Sequence, residues 1–279
     1  GPPLVGKFYR PGRWSDDAIR EEHAFALELV ERDLPVVAPA VFGRDTLHHY
    51  YEHRFALFPR QGGRLPELES HQARVWLGRF LGRLHLAGGA REFQHRPELT
   101  VRDYGEEPLR YIRESGWLPA ALETSFTSTA EDVLARVRAA FQRAGDYTRV
   151  RLHGDCHPGN ILWTDYGPHF VDLDDALNGP AMQDLWMLLA GDRGEMTGQL
   201  EQILEGYEDF AEFDPRELHL IEALRSLRML RFSYWLARRW SDPAFPRAFP
   251  WFGGERYWEE QILALREQAA LLDEPPLKL

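Results

Sequence analysis

The chain has 279 residues, of which 44% are hydrophobic, so it can bury a full core in one large domain or in two smaller lobes. Its formal net charge of −11 argues against sequence-independent nucleic-acid binding, because such binding depends on Lys and Arg that neutralise phosphates. The single cysteine, Cys156, excludes an internal disulfide and a multi-cysteine metal cluster. Apolar runs such as residues 185–190 fall short of the roughly 20 residues that a membrane span needs. We therefore expect a cytoplasmic protein that binds neither nucleic acid nor a membrane, and we take it to be a monomer.

The first 60 residues predict a small unit that combines strands with one helix. The alternating run LVGKFY at residues 4–9 predicts a strand, and Ser15 with two following aspartates predicts the capped start of a helix. That helix should run from about Asp16 to Arg32. Residues 39–59 predict two or three further strands around a Gly-Arg-Asp turn, and the glycine pair that follows indicates a linker.

Beyond the linker the hydrophobic pattern is mostly helical. A first stretch ends at Gly88-Gly89 and places its apolar side chains on one stripe. Those side chains, with one histidine among them, are Val75, Leu77, Phe80, Leu81, Leu84 and His85. Further helices are expected at about residues 117–143, 180–191, 197–212, 215–240 and 254–272. Residues 150–175 are a strand-rich insert. The sequence therefore predicts an α+β fold with a small sheet-containing N-lobe at residues 1–60 and a large, mostly helical C-lobe at residues 61–279.

The insert RLHGDCHPGNILWTDYGPHFVDLDD carries the chemistry. Its two apolar runs, ILW and HFVDL, flank the turn sequence TDYG and predict a hairpin. Folding that hairpin brings Asn160, just before the first strand, close to Asp172, near the end of the second. Asp155 precedes the hairpin on a loop. We expect these three side chains to line one small cavity.

An amide oxygen and a carboxylate at one point suit Mg²⁺, which takes a few protein oxygens and completes its shell with water and phosphate. Asp155 then faces the phosphate as the base for an incoming hydroxyl. His, Asp and Asn here have the spacing of the kinase catalytic loop, H-R-D-x-x-x-x-N, which is followed by a metal-binding Asp. The sequence therefore predicts Asp155 and Asp172 as catalytic residues, Asn160 and Asp172 as metal ligands, and ATP and Mg²⁺ as cofactors.

A kinase also needs a Lys on a strand, paired with a Glu on the next helix, to hold the nucleotide phosphates. Lys7 lies on the first predicted strand, and Glu22 lies early in the following helix, just before its apolar stretch HAFALELV. The segment FALFPRQGG then predicts a hinge that binds adenine through backbone groups around Leu57 and Phe58. With Asn160, these residues form the predicted nucleotide site.

Taken together, these segments resemble the bacterial stress response kinase A family, in the aminoglycoside-phosphotransferase-like branch of the protein-kinase fold. The resemblance covers most of the chain and is carried by KFYRPGRWSDDAIREEHAFALELV, LGRFLGRLHLAG, RLHGDCHPGNILW, FVDLDDALNGPAMQDLWMLL and DPAFPRAFPWFGGERYW. It implies a two-lobe protein-kinase-like fold and ATP- and Mg²⁺-dependent phosphorylation of protein Ser or Thr. It also implies that Asp155 is the proton acceptor, that Asn160 and Asp172 bind magnesium, and that Lys7 binds the nucleotide.

The sequence departs from protein kinases in two places. A glycine-rich phosphate loop is expected on strands before Lys7, yet only residues 1–6 precede it, so we expect either an N-terminal extension absent from this chain or weakened ATP binding. In addition, only residues 173–183 separate Asp172 from Asp184, with no Ala-Pro-Glu motif. This leaves no room for an activation loop switched by phosphorylation.

Alternative functions follow from the same residues. The catalytic core fits a small-molecule kinase of the aminoglycoside, choline or homoserine type as well as it fits a protein kinase. A nucleotide-binding module without catalysis is a further alternative. A two-metal phosphoesterase would echo Gly154-Asp155 with His157, but the chain has no later Gly-Asn-His-Glu motif to complete it.

Several neighbouring side chains have two interpretations. Asp174 fits either extra metal affinity or a cap, and His153 is expected to brace the catalytic loop. Cys156 fits a small buried side chain better than a redox centre. The arginines between Arg225 and Arg239 fit either salt bridges within the lobe or a groove for an acidic protein substrate.

Overall fold

The computed structural model describes residues 3–279, and these fold into two compact units. The first comprises the chain up to Glu98, Thr148–Asp214 and the last two residues, and the second comprises Leu99–Tyr147 and Pro215–Leu277. The expected lobes at residues 1–60 and 61–279 stay a prediction. Across the described part of the chain, no helix has both the length and the apolar composition needed to cross a membrane.

The first unit opens with a three-stranded antiparallel sheet. Strands β1 (Leu4–Tyr9), β2 (His48–Tyr50) and β3 (His53–Pro59) lie in the order β1-β3-β2. Helix α1 (Asp16–Glu31) follows β1, and the Ser15 side chain caps it by accepting a hydrogen bond from Ala18 N at 3.1 Å. The predicted strand and helix are therefore confirmed.

The turn between the later strands lies elsewhere than predicted. Strands β2 and β3 reverse at Tyr51-Glu52, whereas the predicted Gly-Arg-Asp turn closes only an isolated bridge between Phe42 and Asp45. The reason is local, because the Asp45 carboxylate accepts hydrogen bonds from the next two backbone N–H groups at 2.8 and 3.1 Å. A side chain that satisfies these donors competes with a strand ladder.

Two helices of the first unit touch backbone to backbone. Helix α2 (His71–Gly88) packs on α6 (Arg193–Tyr207) through glycines on both partners. A Cβ on Gly78 would lie 1.8 Å from the Ile203 carbonyl oxygen, and one on Gly206 would lie 2.0 Å from a carbonyl oxygen of α2. The stripe of side chains predicted to be buried on α2 is buried.

The insert folds as predicted and packs on α2. Strands β5 (Ile161–Thr164) and β6 (Gly167–Phe170) form the hairpin, and the Phe170 ring stacks on Phe80 of α2 with centroids 3.6 Å apart. Strand β4 (Val150–Leu152) precedes the catalytic loop and pairs with β7 (Leu177–Gly179), which the sequence did not reveal because it has only three residues. The short helix α5 (Met182–Leu185) follows β7.

The second unit is helical. It contains α3 (Glu107–Glu114), α4 (Glu123–Ala144), α7 (Ile221–Arg238), α8 (Ala244–Ala248) and α9 (Glu255–Leu272). A π-helical turn, Arg102–Glu106, leads into α3. The core of the second unit includes Trp258 packed edge-on against Phe126.

Two helix predictions in the second unit need correction. Helix α4 begins at Glu123 rather than near residue 117, and the sequence analysis missed α3. Pro108 looks like a helix breaker, but it lies in the first turn of α3, where its missing N–H costs nothing.

The arginines of α7 have partners within the second unit. Arg225 pairs with Glu222 at 3.1 Å, and the Arg231 guanidinium lies 4.0 Å from the Tyr104 ring centroid. Arg238 donates to the Tyr234 hydroxyl at 2.6 Å. These contacts support the interpretation that the arginines stabilise the lobe, and the substrate groove stays a prediction.

The contact between α2 and α6 can be tested with two glycines. We expect Gly78→Ala to lower the free energy of unfolding by about 2 kcal/mol, since the new methyl group overlaps the Ile203 carbonyl and forces the helices apart. Gly198→Ala, on α6 with nothing within 4 Å of its Cβ position, should instead raise stability by up to about 1 kcal/mol through helix propensity. Urea unfolding measures both, and equal changes in the two variants would contradict the close contact.

Candidate active site

The catalytic loop begins directly after β4 with a buried histidine. The His153 Nδ1 accepts a hydrogen bond from Asp155 N at 3.3 Å, and its Nε2 lies 2.9 Å from the Val171 carbonyl oxygen. Because Nδ1 accepts from a backbone N–H, the ring proton belongs on Nε2, which donates to that carbonyl. The ring therefore ties the catalytic loop to the strand before Asp172, which is the bracing role expected for it.

Asp155 lies on this loop with its side chain 23% exposed. The Asn160 amide nitrogen donates to the Asp155 backbone carbonyl at 2.9 Å and lies 3.4 Å from the carboxylate. His157 Nε2 lies 3.5 Å from the same carboxylate oxygen. Asp155 is thus partly open to solvent and held beside Asn160.

The hairpin brings Asn160 and Asp172 together. The N–H of Val171, the residue before Asp172, donates to the Asn160 carbonyl at 3.0 Å. Asp172 has φ +61° and ψ +63°, a left-handed conformation that costs roughly 1 kcal/mol for a residue with a Cβ. Asp155, Asn160 and Asp172, predicted from spacing alone, therefore lie on adjoining backbone segments.

The side chain of Lys7, on β1, lies beside Asp172. Its Nζ lies 2.6 Å from an Asp172 carboxylate oxygen and 3.5 Å from Asp174. Burial alone would lower the pKa of the Lys7 ammonium, but Asp174, Glu22 and Asp172 outweigh that effect and raise the pKa above its usual value. A permanently charged amine is therefore fixed beside the predicted metal-binding aspartate.

Glu22 is buried on α1, with 2% of its surface exposed. Its Oε2 has no hydrogen-bond partner among residues 3–279, and in the same range it makes no ion pair with Lys7 within 4 Å. Burial raises the pKa of the Glu22 carboxyl to about 7, although the charge of Lys7 opposes this. Glu22 thus acts on Lys7 through space in this structure, whereas the sequence predicted a direct pair.

A neutral histidine supports the strand and helix that carry Lys7 and Glu22. The two ring nitrogens of His23 hydrogen-bond to the Tyr9 hydroxyl at 2.6 Å and to Thr46 Oγ1 at 2.7 Å. Burial lowers the pKa of His23 to about 4, so the ring carries no charge near neutral pH. This hydrogen-bonded chain ties β1 to α1.

The predicted hinge residues lie on β3, next to the strand that carries Lys7. Leu57 faces Gly6 and Phe58 faces Val5 across the β1–β3 ladder, one and two residues beyond the Lys7–Ala56 pair. The Leu57 carbonyl already accepts a hydrogen bond from Ala40 N at 2.7 Å. Their predicted role in adenine binding remains a prediction.

Asp184, a residue not predicted from the sequence, anchors the loop that carries Asp155. Asp184 is fully buried, and its carboxylate accepts hydrogen bonds from His153 N at 2.9 Å and Gly154 N at 2.8 Å, with His85 Nε2 at 3.0 Å. The available signal was its position in the apolar run AMQDLWMLLA, because a charged side chain inside such a run must find buried partners.

Gly154 brings two functional segments into backbone contact. It has φ +84°, and a Cβ at this position would lie 2.1 Å from the Asp175 carbonyl oxygen. Only glycine accommodates both the conformation and the approach. The catalytic loop therefore rests directly on the segment that follows Asp172.

Cys156, which follows Asp155 in the sequence, is fully buried. Burial, with the charges of Asp184 and Asp155, raises the pKa of its thiol well above the usual value. The thiol is thus protonated and shielded, in agreement with a small buried side chain rather than a redox centre.

The oxygen ligands present fit a magnesium ion better than a transition metal. Among the described residues, no group of three or more His, Cys, Asp or Glu side chains is arranged to hold a metal. A backbone hydrogen bond joins Asn160 to the residue before Asp172, and the buried Asp174 Oδ1, 3.5 Å from Lys7 Nζ, accepts no hydrogen bond within residues 3–279. A few hard oxygens on a site open to water and phosphate match the preference of Mg²⁺.

The burial of Glu22 predicts a pH-dependent stability. Because its pKa is raised from 4.5 to about 7, Glu22 contributes stability that is fully present below pH 4.5 and lost as the pH rises through about 7. Glu22→Gln should therefore match the wild type near pH 4 and exceed it near pH 8, by as much as about 3 kcal/mol in unfolding free energy.

Denaturant unfolding at both pH values measures this difference, and the opposite titration of His23 cancels between the two proteins. Glu31→Gln, on the exposed surface of α1, is the control and should keep the pH dependence of the wild type. Parallel curves for the wild type and Glu22→Gln would show that Glu22 is ionised throughout.

Comparisons with known proteins identify the family of this chain. Residues 1–221 match the family model of the phosphotransferase enzyme family. The chain is 50% identical over 276 residues to "Stress response kinase A" of Escherichia coli (strain K12), which covers 99% of this chain and 83% of that protein. It is 49% identical, with the same coverage, to "Serine/threonine protein kinase RdoA" of Salmonella typhimurium.

Solved structures of low identity share the fold. Amicoumacin kinase hAmiN in complex with AMP-PNP, Ca²⁺ and Ami superposes with a TM-score of 0.73 at 19% identity, covering 100% of this chain and 84% of that one. Spectinomycin phosphotransferase, in complex with ADP and spectinomycin, gives a TM-score of 0.62 at 12% identity, with coverages of 96% and 92%. The two-lobe kinase-like fold predicted from the sequence is confirmed. The chain belongs to the phosphotransferase enzyme family and, within it, to the bacterial stress response kinase A group of kinases.

Proposed function

We propose that this kinase transfers the γ-phosphoryl group of ATP, with Mg²⁺, to a Ser or Thr hydroxyl of a protein as part of a bacterial stress response. The observation that carries the proposal is the convergence of Asp155, Asn160, Asp172 and Lys7 in one compact unit. The protein acceptor is supported by the name of the Salmonella relative. Use of ATP and the protonated Cys156 thiol both suit a cytoplasmic location.

Asp155 acts on the acceptor. Its carboxylate is partly exposed and lies on a loop whose backbone is fixed at both ends, so it can accept the proton of an incoming hydroxyl. The hydroxyl oxygen then attacks the γ-phosphorus as the bond to the ADP oxygen breaks. Holding both reactants in line is the main protein contribution to such a transfer.

Lys7 and the metal ligands act on the nucleotide. Asn160 and Asp172 would hold Mg²⁺, which when bound neutralises charge on the phosphate oxygens. The Lys7 ammonium, now on Asp172, would bind the nucleotide phosphates, and the buried Glu22 carboxyl would keep the amine oriented. Leu57 and Phe58 would line the adenine site on the neighbouring strand.

A small-molecule acceptor is the second candidate, favoured by the solved structures that share the fold. These include an amicoumacin kinase and a spectinomycin phosphotransferase, which are named for small molecules. The same catalytic residues would serve a small alcohol, so the two candidates differ only in the origin of the hydroxyl.

Two aspartate variants separate the chemical step from nucleotide binding. We expect Asp155→Asn to reduce phosphoryl transfer by at least about 100-fold and to leave ATP affinity within about threefold, because Asp155 handles the acceptor proton. Asp172→Ala should instead abolish Mg²⁺-dependent nucleotide binding in calorimetry. Near-normal turnover of the first variant, or unchanged binding by the second, would remove that residue from its role.

The acceptor is tested with γ-labelled ATP and the full-length protein. Incubation with a generic protein acceptor and, separately, with a panel of small amino alcohols and aminoglycosides should place label on Ser or Thr of the protein. Asp155→Asn is the blank for contaminating kinases. Label found only in a small molecule would replace the main proposal with the second candidate.

A further inference from the structure

The segment after Asp172 depends on contacts from outside itself. Asp172 has φ +61°, a conformation that residues with a Cβ rarely adopt. The following residues, Leu173–Asp175, form one 3₁₀ turn closed by a bond from Ala176 N to the Leu173 carbonyl at 2.8 Å. A single turn of this kind is weak, since its hydrogen bonds are poorly aligned.

Arg13 is the first of these outside contacts. It lies between β1 and α1, and its guanidinium pairs with the carboxylates of both Asp174 and Asp175, the latter at 2.7 Å. A planar guanidinium can hold two carboxylates in a fixed relation, which a lysine ammonium cannot. Arg13 therefore orients the segment as well as offsetting part of its negative charge.

Arg96 contacts the backbone of the same segment. Its side chain is buried and donates from Nη2 to the Asp174 carbonyl at 2.5 Å and from Nε to the Ala176 carbonyl at 2.8 Å. Its guanidinium lies 3.9 Å from the ring centroid of Trp14, the residue next to Arg13. The two arginines are thereby linked through Trp14.

Lys7 also contacts the segment, but it serves the nucleotide in the proposed function. When Lys7 turns from Asp172 to phosphate, its contact with Asp172 is lost. The contacts of Arg13 and Arg96 fall on Asp174, Asp175 and Ala176, so a metal on the Asp172 carboxylate would not have to displace them.

We propose that Arg13 and Arg96 form a clamp of positioning residues that holds residues 173–176, and so keeps Asp172 in its metal-binding geometry, before nucleotide arrives. The link to metal binding rests on the proposed function. The clamp takes the place of an activation loop, for which residues 173–183 leave no room. The site is therefore ordered without a phosphorylation step.

Arg13→Gln tests the clamp, because Arg13 is partly exposed and its loss should leave the fold intact. Binding of AMP-PNP is measured by calorimetry at increasing Mg²⁺. We expect the Mg²⁺ concentration for half-maximal binding to rise about 10-fold, as for other residues that orient metal ligands, with metal-free nucleotide affinity unchanged. Hydrogen exchange at the Ala176 amide, without nucleotide or metal, should become about 10-fold faster.

Two further variants distinguish orientation from charge. Arg13→Lys keeps the positive charge but lacks the planar guanidinium that can hold two carboxylates. It should therefore recover at most part of the wild-type Mg²⁺ dependence and of the wild-type exchange rate. Arg20→Gln, an exposed arginine that also pairs with two carboxylates, is the matched control and should change neither measurement. Wild-type values for Arg13→Gln, or full rescue by Lys, would overturn the clamp. If the wild type itself bound no nucleotide with Mg²⁺, the proposed function would fail, while the exchange result would still decide on the clamp.

Discussion

One buried carboxylate organises the site. Asp184 receives the backbone N–H groups of His153 and Gly154 and the ring of His85, so the two residues before Asp155 have a fixed backbone. Hydrogen bonds to a charged group contribute roughly 1.5–3 kcal/mol each, and a buried carboxylate without them would be costly. The side chain of Asp184 thus holds the backbone that leads into Asp155, the proposed base.

A second constraint is the balance of charge around Asp172. The chain is acidic as a whole, yet Lys7 and Arg13 pair with the carboxylates that follow β6, and Arg96 donates to backbone carbonyls of the same segment. Lys7 pairs with Asp172 directly, and the single charge of Arg13 is shared between the next two carboxylates. Bound nucleotide phosphates and their metal would replace these ion pairs with new ones. Few charged groups would then be left buried without a partner, which keeps the cost of their desolvation small.

The site could be predicted from sequence to the extent that it is local. Asp155, Asn160 and Asp172 lie within one hairpin and its preceding loop, so spacing and turn residues were enough to bring them together. The Lys7–Asp172 contact spans 165 positions and was reached only by analogy with the kinase arrangement. The link between His85 and Asp184 spans 99 positions and has no periodic signature, so it was missed.

The errors in the fold have the same origin. The turn at Tyr51-Glu52 lacks glycine, whereas the glycine-containing turn predicted in its place is closed by the Asp45 side chain. Helix α3 was missed because Pro108 is a breaker in most positions but not in a first turn. In each case a single local contact overrides the average preference of the residue type.

The burial of Cys156 has a practical consequence for the study of motion in this kinase. It is the only thiol in the chain, and the folded protein keeps it protonated and out of reach of solvent. Cysteines introduced on the surface of each compact unit can therefore accept fluorescent or spin labels selectively, with no native residue removed. Labels at such positions then report on local motion within either unit, in a chain whose own residues around Asp155 are unaltered.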